Sequence, residues 1–451
     1  MTTSDGAPKD MHHAGGKADS PALADICKVS FKVGIFSFGG PAAQIAMLHQ
    51  EFVENRKWLS EDRFLHALNY CMLLPGPEAQ QLATYCGWIA GRTLGGLISG
   101  LLFILPGAFA MALVSYVYAR FGNVALIEAV FYGIKAGVLA IVVQALLKIG
   151  QKALKSRLAW GLALASFCAL FFFNVPFPLV IVAAAVIGVA FNRKSEEPAP
   201  EDAAKGASAR QKAASVSSTV KTLAIGVLIW GFPPAAAAIL LFPDHLLLDV
   251  ARFFATLAAV SFGGAYALLS YMAQVAVETK GWLSAGQMLD GLGLAETTPG
   301  PLILVTQFVG FLAGWRFPEP FSPLTGGLLA AAMTTWVTFT PSFLLVLAGA
   351  PWMEKLRGNQ KLSAALSGIT AAVTGTILNL AVWFSMNVLF GSVAETKAGP
   401  VNLLVPDFAT LDYVLATIAV IAAILVFIAK RGIATVIATT ALLGLGARHL
   451  L

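Results

Sequence analysis

Of the 451 residues, 57% are hydrophobic and only 12% charged, against about a quarter charged in an ordinary globular domain. That composition, with its long apolar stretches, points to an all-α polytopic membrane protein rather than a soluble one. The formal net charge of +6 then matters less than where the charges fall.

In chain order, residues 1–20 are polar with no apolar segment, so they read as a disordered tail rather than a signal or an anchor, His12 and His13 included. A first repeat with its connecting hairpin is expected over 21–192. It opens on short apolar pieces broken at Gly39-Gly40-Pro41 and at Pro75-Gly76-Pro77, with Trp58-Leu59-Ser60 between them. Long apolar stretches follow from Leu94 to Tyr118, Ala125 to Leu147, Leu158 to Phe173 and Phe177 to Phe191. The Ala/Ser/Pro/charge-rich segment 193–220 reads as a cytoplasmic linker. Residues 221–451 hold a connecting span, Thr222 to Leu241, and a second repeat. Its apolar stretches run from Leu324 to Ala348, Leu362 to Leu389, Tyr413 to Ile428 and Ile433 to Leu445. Several of these reach the roughly 20 residues needed to cross a bilayer.

Charge assigns sides. Lys148, Lys152, Lys155 and Arg157 lie between two apolar stretches with no acid among them, which places that loop in the cytoplasm. Lys355, Arg357 and Lys361 mark a second inside loop, and Lys430-Arg431 a third.

The chain is duplicated. An offset of 224 residues carries Ser37-Phe38-Gly39-Gly40 onto Ser261-Phe262-Gly263-Gly264, Trp58-Leu59-Ser60 onto Trp282-Leu283-Ser284, Pro75-Gly76-Pro77 onto Pro299-Gly300-Pro301 and Arg92 onto Arg316. Further on, an offset of 235 matches Pro106 to Pro341 and Gly133 to Gly368. Three spans separate the copies, and an odd number turns the second copy over. Inverted repeats with paired helix breaks are the signature of secondary transporters that bind cargo near the midplane. Irregular backbone at membrane depth is tolerated only where it is buried or lines a cavity.

Half-helices that begin after Gly-Gly and at Pro-Gly-Pro present unsatisfied N–H groups and the positive end of a dipole, which suits an anion. Candidate binding residues are therefore Gly39, Gly40, Pro41, Gly76, Pro77, Gly263, Gly264, Gly300 and Pro301. A helix kink is the plainer reading of each motif taken alone. Cys27, Cys71, Cys86 and Cys168 lack metal or redox spacing, and neither a metal site nor a cofactor is implied.

The run "FSFGGPAAQIAMLHQEFVENRKWLSEDRFLHALNYCMLLPGPEAQQLATYCGWIAGRTLGG", with its looser second copy, is similar to the chromate ion transporter family in its long two-domain form. The resemblance covers nearly the whole chain outside the tail and linker. It implies a multi-pass protein of a bacterial or archaeal inner membrane, and not an enzyme. Such a protein exports chromate, a tetrahedral dianion, by using the proton motive force or exchange for another anion. The second copy departs from the pattern, with Ala265 in place of Pro41 and Leu302 in place of Glu78, so the half-sites are not equivalent.

Against that background Lys135, inside an apolar stretch, is a candidate fixed positive charge for the dianion, with a pairing to Glu128 as the alternative. Gln80, Gln81, Thr297 and Thr298 are candidate hydrogen-bonding residues. Glu78 and Glu296 are candidate proton-coupling acids, although a carboxylate in a first helical turn such as Glu78 also serves as an ordinary dipole cap. Lys28 and Arg252, matched at the offset of 224, flank the breaks either as headgroup anchors or as an anion funnel. His49 and His66 read as interfacial, and Trp58 and Trp282 as belt or cap residues. Sulfate as the physiological cargo, with chromate its mimic, and a passive channel stay open as alternatives. A homodimer through spans outside the repeats is compatible with the pattern, which does not demand one.

Overall fold

The computed structural model describes residues 21–450 apart from 38–39, 123, 192–215, 262–264, 353–359 and 400. The expected tail, most of the expected linker, and Gly39, Gly263 and Gly264 lie outside the described residues. The last part of the expected linker, 216–220, opens a helix instead.

In the first half α1 (Leu23–Phe36) is followed by α2 (Gly40–His49), which runs into a π turn at Gln50–Asn55. Next come α3 (Glu61–Cys71), α4 (Glu78–Phe121), α5 (Ala125–Ala153), α6 (Arg157–Phe171) and α7 (Phe177–Ala190). A single helix, α8 (Val216–Leu240), leads to the second half. There α9 (Leu246–Ala259) and α10 (Ala265–Gln274), again ending in a π turn at Val275–Thr279, precede α11 (Ala285–Thr297) and α12 (Val305–Arg316). The chain finishes with α13 (Pro323–Gly349), α14 (Gln360–Leu389), α15 (Tyr413–Ala423) and α16 (Ile433–Leu450). An antiparallel hairpin of β1 (Val393–Ala398) and β2 (Val401–Pro406) lies between α14 and α15. The protein is thus an all-α polytopic membrane protein carrying one small hairpin.

Local chemistry explains the helix boundaries. Ser284 caps α11 by accepting from the Gln287 N–H, and the Gln287 side chain returns the bond to the Ser284 N–H. Ser322 caps α13, whose first residue is Pro323. The 44-residue α4 is two helices in one, because Gly91 (φ −137°, ψ 26°) and Arg92 (φ 55°, ψ −151°) leave helical geometry. Its first part, up to Ala90, is therefore the mate of α12, which ends at Arg316. Its second part, after Arg92, is the mate of α13. Five helices, α4, α5, α8, α13 and α14, are long and apolar enough to cross a membrane. Prolines sit inside two of the matched spans, Pro106 in α4 and Pro341 in α13. Pro341 frees the carbonyl of Val337, which accepts the Trp230 indole N–H at 3.1 Å from α8.

The halves exchange their contacts. Gly133 of α5 packs so closely on α16 that a Cβ there would lie 1.9 Å from the Thr440 oxygen and 3.0 Å from the Gly444 Cα. Gly368 of α14, its mate, packs on α7 in the same way, 2.3 Å from the Ala184 oxygen and 3.0 Å from the Gly188 Cα. Small residues let the backbones meet where no hydrophobic force drives helices together in lipid. One further offset of 256 carries Ala184 and Gly188 onto Thr440 and Gly444. The hairpin α6–α7 is therefore more than the connection expected from sequence: it has a counterpart in α15–α16, and α8 alone lies between the two copies.

Candidate functional site

The two Pro-Gly-Pro loops meet the other half reciprocally. The Gly76 N–H donates to the Ser261 carbonyl at 3.0 Å, and the Gly300 N–H donates to the Ser37 carbonyl at 3.2 Å. Gly76 (φ 126°) and Gly300 (φ 93°) both occupy backbone territory that side-chain-bearing residues rarely adopt. Each loop also presses on a spanning helix of the other half beside its proline. A Cβ at Gly76 would lie 2.3 Å from Ser342 Oγ, and one at Gly107 would lie 2.4 Å from the Pro299 oxygen. Gly107 and Ser342 are themselves mates at the offset of 235.

Around this crossing sits a buried polar cluster. Gln44 Nε2 donates to the Gly300 carbonyl at 2.6 Å, Gln81 Nε2 to the Pro75 carbonyl at 2.7 Å and Gln307 Nε2 to the Ala108 carbonyl at 2.8 Å. Gln80 Nε2 donates to Thr84 Oγ1 at 3.0 Å. The amide oxygens of these four glutamines and the hydroxyls of Ser37 and Ser342 are buried without a hydrogen-bond partner among the described residues. Buried polar atoms are ordinarily satisfied, so this cluster is where a polar guest or water belongs. Gly40, at the start of α2, has φ 78°, and a Cβ there would meet nothing within 4 Å, so the start of that helix faces open space.

The predicted residues divide. Pro41 lies in the first turn of α2, and Pro77 immediately precedes α4, whose first residue is the half-buried Glu78. Pro301 caps a short 3₁₀ turn, Leu302–Leu304, that runs directly into α12, so a helix does start after it. Glu296 is buried near the carboxyl end of α11. Thr297 does not offer a free donor: its hydroxyl donates to the Gly293 and Leu294 carbonyls of its own helix. Thr298 is the C-cap of the same helix.

Lys135 stands elsewhere. It pairs with Asp290 of α11, Nζ to Oδ2 at 3.6 Å, and not with Glu128, the partner weighed from sequence. Asp290 is only 3% exposed and also accepts from the Tyr118 hydroxyl at 2.7 Å. Asp290 lies seven residues before Thr297 on α11, about 10 Å along the axis from the Pro-Gly-Pro end. The pair opens onto a cavity of about 340 Å³ that Tyr118, Glu128, Gln287 and Arg316 also line. Arg316 is tied there to the Gly281 carbonyl and to Gln287 Oε1. Sequence reasoning missed Asp290 and Tyr118. A lone acid in the apolar "MLDGLGLA" was the available signal, but its mate at the offset of 224 is His66, so the repeat did not single it out.

The remaining expectations fall into place more simply. His49 is half-buried, its Nε2 2.6 Å from a Glu61 carboxylate oxygen. Trp282 is buried against Phe253 and Phe254, which makes it a core residue rather than a member of an interfacial belt.

The profile of the chromate transporter family matches residues 24–189 and 248–445, once on each half. The chain belongs to the chromate transporter family. It is 32% identical over 364 residues to a chromate transport protein of Pseudomonas aeruginosa, covering 77% of each chain. It is 27% identical to a chromate transport protein of Cupriavidus metallidurans, covering 82% of this chain and 85% of that one. An uncharacterized transporter of Methanocaldococcus jannaschii is 23% identical over 82% of this chain and 86% of its own. No solved structure matches. The transporter is a multi-pass membrane protein of a kind found in bacteria and archaea.

Proposed function

We propose that this transporter is a secondary active exporter of chromate across the inner membrane, its halves inverted and alternating access around the crossed Pro-Gly-Pro loops. The reciprocal bonds of Gly76 with Ser261 and of Gly300 with Ser37 carry the reading, because they make one crossing from two matched loops. The single connecting helix α8, apolar and 25 residues long, supports inversion, since one crossing between copies turns the second over. Its exposed Leu228, Phe232, Ile239 and Leu240 suit contact with lipid tails.

Chromate is a tetrahedral oxyanion, and backbone N–H groups at a helix start read its shape and charge. The open start of α2, where Gly40, Ala42 and Ala43 carry backbone N–H groups and Pro41 fixes the turn, supplies such donors, and the Ser37 and Ser342 hydroxyls add side-chain ones. Glu78, in the first turn of α4, sets a carboxylate against the positive end of that helix beside the crossing. Energy comes from the proton motive force or from exchange for another anion.

The test is uptake of labelled chromate into everted membrane vesicles, energised and then uncoupled, with and without an equal concentration of sulfate. Uptake that requires energy supports export. Uptake indifferent to energy would replace the exporter with a passive pore, and complete suppression by sulfate at equal concentration would replace chromate as the preferred cargo.

A further inference from the structure

The Lys135–Asp290 pair joins α5 of the first half to α11 of the second, and it exists once. At the mated positions stand Thr370 and His66. Lys135 is one of two cations in the cavity wall, with Arg316; its side chain is about a quarter exposed, whereas the Asp290 side chain is 4% exposed. One oxygen of Asp290, Oδ2, takes both the lysine and the tyrosine; the other, Oδ1, is buried with no partner among the described residues. A carboxylate thus occupies the cation with one oxygen and leaves the other unused beside a cavity large enough for a tetrahedral anion.

We infer that Asp290 is a tethered counter-anion for Lys135, which a transported oxyanion displaces together with the uptake of one proton. This rests on the chromate reading above and names the group that couples it. An oxyanion entering the cavity competes with Asp290 for Lys135. If it wins, Asp290 keeps a buried negative charge whose cation has been taken, a state that is strongly unfavourable. One proton from cavity water, forming an O–H bond at the unused Oδ1, removes that charge and turns the oxygen into a donor toward the anion. When the anion leaves, the proton returns to water and the ion pair closes.

The other charged groups facing the pair are Glu128 on α5 and Arg316 on α12, with the Tyr118 hydroxyl from α4. Of the helices α14 and α16 that also pack on α11, the described side chains include one titratable group, Lys361, in the first turn of α14. Arg316 reinforces the attraction for an anion, and Glu128 opposes it, so the cavity holds a dianion only when Asp290 is neutral. Anion and proton therefore occupy the protein together rather than in alternation. Outward movement of a dianion with one proton carries net negative charge, so the membrane potential, and not the pH gradient, drives it.

The experiment uses the purified full chain in detergent, chromate as the probe, equilibrium dialysis for binding and a pH indicator in weak buffer for proton uptake. It is run above the pH range in which chromate itself titrates. The native chain is expected to take up about one proton per chromate bound, by the charge balance just described. Asp290→Asn, isosteric and already neutral, should bind at least as tightly with no proton uptake. Lys135→Gln should lose about 10-fold or more in affinity. The double variant Lys135→Gln with Asp290→Asn leaves no unpaired buried charge and should keep the native melting temperature while binding no better than Lys135→Gln. Native binding without proton uptake, or uptake that persists in Asp290→Asn, would overturn this inference alone. Absence of chromate binding in both the native chain and Asp290→Asn would overturn the chromate reading and this inference with it.

Discussion

Replacing Gly107 with alanine tests the loop crossing most directly. The new Cβ would sit 2.4 Å from the Pro299 oxygen, 2.7 Å from Leu304 Cδ1 and 3.1 Å from the Gly300 Cα. The leucine can turn away, but the other two atoms are backbone, so no rotamer change relieves them. The loop cannot retreat freely either, because the Gly300 N–H and carbonyl are bonded to Ser37 and Gln44. An ordinary carbon–oxygen contact needs roughly 1 Å more, and overpacking of this kind costs about 1–3 kcal/mol, on the order of 5- to 100-fold in the population of the docked loop. Gly161→Ala in α6 is the control, since nothing lies within 4 Å of a Cβ there. It should be neutral or slightly stabilising, because alanine is the better helix former. Chromate transport in vesicles and thermal unfolding in detergent are measured at equal expression. Gly107→Ala with native transport and a native unfolding temperature would refute the claim that the close approach of loop and helix constrains the protein.

Gly133→Ala and Gly368→Ala should each lower the unfolding temperature, by similar amounts, since the same close contact occurs at both; a large effect at one and none at the other would contradict the reciprocal packing. Trp230→Phe removes the donor to the Val337 carbonyl, which Pro341 has already freed, and should cost about 1–3 kcal/mol in thermal or denaturant unfolding. Lys57 (φ 54°) holds a left-handed backbone that its mate supplies as Gly281 (φ 60°), so Lys57→Gly should leave stability unchanged or raise it by up to about 1 kcal/mol. Ser342→Ala removes a buried hydroxyl with no partner among the described residues; it should keep the unfolding temperature and reduce chromate transport, and unchanged transport would take Ser342 out of the site.

Composition by itself determined that the chain lives in a bilayer, and the repeated Ser-Phe-Gly-Gly and Pro-Gly-Pro determined where its helices break. Both are properties of short segments: a run of apolar side chains needs lipid wherever it lies, and glycine and proline act on their own backbone. The break at Gly91 and Arg92 came from the structure, where Arg92 proves to be the mate of the residue that ends α12. What pairs across the molecule could not be read that way. Nothing in the segment around Lys135 distinguishes Glu128, on its own helix, from Asp290, far away in sequence, and only the packing of α11 along α5 decided for Asp290. The same holds for the membership of α6–α7 in the repeat, since Gly188 and Gly444 are recognisable as mates only through the helices they touch. A local motif dictates a local conformation, whereas charge pairing and close backbone approach are decided by which helices the whole fold brings side by side.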